Sequence, residues 1–159
     1  MKTEILNERL NELRENIDAL SFGGCGFFAL FLYESLVNKG FSPEIKVVHV
    51  NNNDYFKKVI TNILNDSSDF EAKMNLFIQE ISWRHFMVSV NDNLIDSNGV
   101  FPTFVNTGYS FFHNISEDSI PIELLKELLK KENLWNHSYD RNNNNNLKLE
   151  IENIIENIS

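Results

Sequence analysis

Ser21-Phe22-Gly23-Gly24-Cys25-Gly26-Phe27-Phe28-Ala29-Leu30-Phe31-Leu32 sets the single cysteine of the chain between glycines, where a loop runs into a strongly apolar helix. Two glycines ahead of the sulfur permit backbone angles that a side chain forbids, and let another group approach the main chain closely. Cys25 is therefore expected at a helix N-terminus, where free N–H groups and the positive end of the helix dipole favour the thiolate, the nucleophilic form of cysteine. The competing reading is plain packing, since free cysteine is among the most buried residue types. A base close to the sulfur would decide between the two.

The base is sought sixty residues on. Trp83-Arg84-His85-Phe86-Met87-Val88-Ser89-Val90 alternates as a strand, with Phe86, Val88 and Val90 on one face and His85, Met87 and Ser89 on the other. Asn91-Asp92 suits a two-residue hairpin turn, because both residue types tolerate positive φ, and Asn93 to Gly99 returns as the second strand. That turn sets Val90 against Asn93, Ser89 against Leu94, Val88 against Ile95 and Met87 against Asp96. Opposed residues share a face, so Asp96 falls on the His85 side, one diagonal step away, within reach of an aromatic side chain. A four-residue loop also keeps the two together; a three-residue loop separates them.

Cysteine at a helix start, histidine on a strand and aspartate on the next strand, in that chain order, resemble the papain-like and transglutaminase-like (NlpC-like) cysteine hydrolase superfamily. The likeness covers roughly residues 20 to 100. It is nearest to small bacterial and phage proteins with a glycine-flanked Cys-Gly-x-x-Ala-Leu helix, a histidine, an alternating apolar strand and an Asp-x-x-Gly, here Cys25 to Leu30, His85 and Asp96 to Gly99. The resemblance implies a catalytic triad: Cys25 as nucleophile, His85 as general base and then acid, and Asp96 as its orienter. It implies no cofactor and no metal. One position departs from the pattern. Papain-type enzymes place a glutamine a few positions before the cysteine to help form the oxyanion hole, and no glutamine precedes Cys25. The hole would then rest on the Cys25 backbone N–H and an unassigned second donor.

The chain of 159 residues is long enough for one domain with a real core and too short for two comfortable ones. A hydrophobic content of 42%, with thirteen phenylalanines, sets it apart from disordered chains. A net charge of -9 disfavours phosphate backbones and anionic membrane surfaces, so nucleic acid and membrane are not expected partners. One cysteine excludes an intramolecular disulfide. Met1 to Ile5 holds no continuous apolar run of signal-peptide type, and no stretch approaches the roughly 18 apolar residues of a membrane span. A cytoplasmic protein is the simplest expectation, with a virion or delivery into a host cell as the alternative.

Around the site, Leu6, Leu10, Leu13, Ile17 and Leu20 mark an amphipathic helix over residues 3 to 20. The cysteine helix runs to about Asn38 and, with no polar face, belongs in the middle of the core. Ile45 to Val50 reads as a strand, with His49 as a structural histidine. Tyr55 to Leu64 carries a helical stripe. A capping box at Ser68 and Glu71 opens a further helical pattern to Ile81, in which Met74 to Ile81 also fits a strand. Val100 to Val105, with Pro102, reads as an edge strand. Tyr109, Phe111, Phe112 and His113 form an aromatic cluster, either core or the lining of a substrate cleft. Ile120-Pro121 opens a helix to about Lys131. The four histidines lack ligand-like spacing, and no glycine-rich phosphate loop occurs.

The expected architecture is α+β, a papain-like core with the Cys25 helix packed on a small antiparallel sheet that carries His85 and Asp96. Residues 1-140 form the domain, 141-146 an asparagine-rich linker and 147-159 a C-terminal amphipathic helix that either folds back or binds a protein partner. The expected function is a thiol hydrolase (a cysteine protease or amidase) or an acyltransferase. It would act on an amide, isopeptide, ester or thioester carbonyl of a peptide or protein substrate. The alternative is a non-enzymatic binding or phage virion-associated protein that keeps the fold.

Overall fold

The computed structural model describes residues 3–20, 23–50, 58, 84–109, 115–130 and 139–158. Apart from Lys58, the helices expected at 55–64 and 68–81, the strand alternative at 74–81, Trp83, Phe111 to His113 and His137 lie outside them. The described chain is α+β. Its order is α1 (Thr3–Asn16), α2 (Cys25–Asn38), β1 (Glu44–Val50), β2 (Arg84–Val90), β3 (Asn93–Asp96), β4 (Gly99–Phe101), β5 (Ile115–Ile120), α3 (Ile122–Lys130) and α4 (Asn144–Ile158). The strands form one antiparallel sheet in the order β4-β3-β2-β1-β5.

The β2–β3 hairpin has the expected register, with Val90 opposite Asn93, Ser89 opposite Leu94 and Val88 opposite Ile95. Asn91 and Asp92 both take positive φ, 48° and 59°, as a type I′ turn demands. One face of the sheet presents Ile45, Val47, Phe86, Val88, Val90, Ile95, Val100 and Ile120 to the helices, and these join the main core with Phe28, Leu32 and Leu36 of α2. The opposite face carries a smaller cluster of Val48, Met87 and Leu94, against which Phe101, Phe104 and Tyr109 pack. β4 is an edge strand, and Asn7 of α1 guards it by accepting the Val100 N–H at 2.7 Å.

Three expectations need correction. β4 ends at Phe101, before Pro102, and Phe104–Thr107 is a 3-10 turn rather than more strand. β5 precedes the Pro121 helix where no strand was expected; its Ser116-Glu117-Asp118-Ser119 centre has low intrinsic β-preference and is held by pairing along β1. The asparagine run is not a free linker. Arg141–Asn143 is a 3-10 turn opened by Asp140, whose side chain accepts the Asn142 N–H at 2.9 Å, and α4 begins at Asn144, whose side chain accepts the Tyr139 hydroxyl at 2.8 Å. Leu147, Ile151, Ile154, Ile155 and Ile158 of α4 are buried in the main core against α2 and α1. Among the described residues no helix is long and apolar enough to cross a membrane.

Candidate active site

Two glycines shape the approach to Cys25 for different reasons. Gly23 takes φ +110°, open to glycine and strained for any side chain. Gly24 has an ordinary φ of -83°, but a Cβ there would lie 2.8 Å from the Leu20 carbonyl oxygen and 2.9 Å from the Tyr139 ring. Gly24 caps α2 and Cys25 is its first residue. The first intrahelical bond runs from the Phe28 N–H to the Gly24 carbonyl at 2.9 Å, so the N–H groups of Cys25, Gly26 and Phe27 have no partner within the helix.

α2 packs against α4 and, among the strands, most extensively along β2, which brings Cys25 to His85. The sulfur lies close enough to the imidazole and to the Phe86 backbone amide for charge and hydrogen bonding from them to act on the thiol. The other end of the ring is held by Asp96: Nε2 and Oδ2 are 2.8 Å apart. With Nε2 engaged by the carboxylate, Nδ1 is the nitrogen left to serve the thiol. Asp96 is wholly buried, at 0% exposure, and Cys25 is 4% exposed.

Asp96 reaches this position through local chain chemistry. It ends β3, and its Oδ1 accepts the Asn98 N–H at 2.7 Å, an Asx turn that leads into Gly99, whose φ of +149° favours glycine. Its Oδ2, besides His85, meets the Asn98 side-chain amide at 3.3 Å and the Tyr109 hydroxyl at 3.3 Å. The Tyr109 ring lies against the imidazole, with centroids 4.9 Å apart at 41°.

The electrostatics of the pair follow from this packing. Burial alone would push the Cys25 thiol up, but the charge of His85, its hydrogen bond and the Phe86 amide hold it below the usual thiol range. Burial alone would pull His85 down, but the charge of Cys25 and the bonds to Asp96 and Cys25 raise it to about 10. The two shifts together favour a thiolate–imidazolium pair.

The residues singled out in the sequence thus meet, two of them through elements more than fifty residues apart. Three further contacts were not singled out. Asn98 stands two places after an aspartate, the pattern of an Asx turn. Tyr109 appeared only within the aromatic cluster. The Phe86 amide is main chain and carries no sequence signal. His49 is buried on the core face of β1, with Nε2 2.8 Å from Asp118 Oδ2, as a structural histidine requires. Among the described residues no group of three or more His, Cys, Asp or Glu side chains could hold a metal ion. No family model matches the chain, and comparison with curated proteins and with solved structures finds no similar one.

Proposed function

We propose that this protein performs papain-like thiol chemistry on a carbonyl of a peptide or protein substrate. The observation that carries the reading is the His85 imidazole spanning Asp96 at Nε2, at 2.8 Å, and the Cys25 thiol at its other side. The Cys25 thiolate adds to the carbonyl carbon, and the carbonyl electron pair moves to oxygen, where the start-of-α2 amides that have no partner within the helix serve as donors. As the tetrahedral adduct collapses, the His85 Nδ1 proton passes to the leaving amine, alcohol or thiol, and a thioester remains on Cys25. Water, or an acceptor amine, then gives a proton to His85 as it attacks the thioester, and the Cys25 thiolate departs with the bonding pair. Asp96 holds the ring in place.

A second reading, a binding protein that keeps this arrangement without turnover, is favoured by one observation, the 4% exposure of Cys25. Alkylation separates the two. Under the first reading, iodoacetamide modifies native Cys25 at pH 6 faster than a free peptide cysteine, because the peptide thiol at about 8.5 is almost wholly protonated there. His85→Ala slows that reaction. A thiol that resists until denaturant is added supports the second reading.

A further inference from the structure

We propose that the Tyr109 hydroxyl acts through Asp96 to set how tightly the carboxylate holds the Nε2 proton of His85. The inference rests on the Cys25–His85–Asp96 reading and concerns the strength of its acid. Asp96 Oδ2 receives three donors, His85 Nε2 at 2.8 Å, the Asn98 side-chain amide at 3.3 Å and the Tyr109 hydroxyl at 3.3 Å, while Oδ1 takes the Asn98 backbone N–H at 2.7 Å. A carboxylate oxygen offers about two lone-pair sites, so three donors share its electron density and each weakens the hold on the others. Asp96 is fully buried, so solvent does not even this competition out.

The competition has a use. His85 must keep a proton to hold Cys25 as thiolate, and must surrender one to the leaving group. A general acid works best with a pKa near the working pH, whereas His85 is raised to about 10 by the thiolate and Asp96. A donor into Oδ2 pulls the imidazolium back toward useful acidity. Tyr109 suits that task because burial, and then the charge of Asp96, push its own ionisation up, so it remains a donor throughout the working range. Among the described residues, the titratable groups acting on His85 are Cys25 from α2, Asp96 from β3 and Tyr109, while β1 places Val48 opposite it. Tyr109 is a positioning residue in this scheme, since it acts through the carboxylate and the ring.

Tyr109→Phe is the test, because it removes the donor and keeps a ring against the imidazole. The His85 titration, read from its ring resonances by NMR, and the pH profile of Cys25 alkylation by iodoacetamide are measured for both proteins, together with their melting temperatures. With the hydroxyl gone, Asp96 holds the His85 proton harder, the imidazolium persists to higher pH, and the His85 titration moves up by about half a unit, a roughly threefold change in proton affinity. A titration that stays in place, or moves down as Asp96 loses a prop, overturns the proposal. 3-Fluorotyrosine introduced at position 109 is a stronger donor and should move the His85 titration down; movement up refutes the same claim. If the unmodified protein shows no reactive limb below the ordinary thiol range, the triad reading itself fails, a result distinct from a His85 titration that is indifferent to Tyr109.

Discussion

Replacing Asp96 by asparagine keeps the shape of a fully buried side chain and removes its charge. The lost contact is a charge-assisted bond of 2.8 Å to His85. Bonds of that kind contribute about 1.5–3 kcal/mol, which corresponds to roughly one to two pH units in the proton affinity of the imidazole. The sign follows from the coupling. A His85 that loses its proton more easily stops supporting the Cys25 thiolate at a lower pH, so the upper edge of the reactive window, set by His85 at about 10, falls by about one to two units. The acid limb does not rise, because His85 is protonated on both sides of it and the charge of Asp96 itself pushes the thiol up. The reactive window narrows from its upper side. The assay is the iodoacetamide rate between about pH 4 and 11, with thermal unfolding to show that the Asn98 turn still forms. Ile95→Asn serves as the contrast, because Ile95 is buried on the core face opposite Val88 and Val100. It should lose about 1–3 kcal/mol of stability by burying an amide without a partner. An Asp96→Asn protein with that upper edge unmoved would make Asp96 a turn carboxylate only, and the triad would have to be withdrawn.

Two further expectations concern the frame around the site. Leu147→Ala, at a fully buried position of α4, should cost about 2–5 kcal/mol in urea unfolding, and truncation after Asp140, which removes five core aliphatic residues, should abolish cooperative melting; a truncated protein that melts like the full chain would place α4 outside the core. Gly24→Ala drives a methyl against the Leu20 backbone and the Tyr139 ring, so it should cost about 1–3 kcal/mol and slow Cys25 alkylation as the start of α2 shifts; an unchanged rate with unchanged stability would show that this turn gives way freely.

The readable part of this chain was the part set by neighbours in sequence. The glycine-flanked start of α2 follows from local backbone freedom and from a run of apolar side chains. The hairpin register follows from the two positive-φ turn residues and the period-two alternation on either side. Because that period assigns a face, Asp96 could be placed beside His85 before any coordinates. Tertiary structure decided what periodicity leaves open, namely which elements adjoin. β1 lies between β2 and β5, and nothing in an acidic Ser-Glu-Asp-Ser stretch announces a strand until a partner edge supplies its backbone bonds. The asparagine run has the composition of a linker, yet the side chains of Asp140 and Asn144 shape it into a turn and a helix start, because α2 and α1 offer the α4 isoleucines an apolar surface. Packing alone also aims the Phe86 amide at the sulfur and lays Tyr109 on the imidazole. Alternation told which way His85 points; only the folded chain put a thiol within its reach.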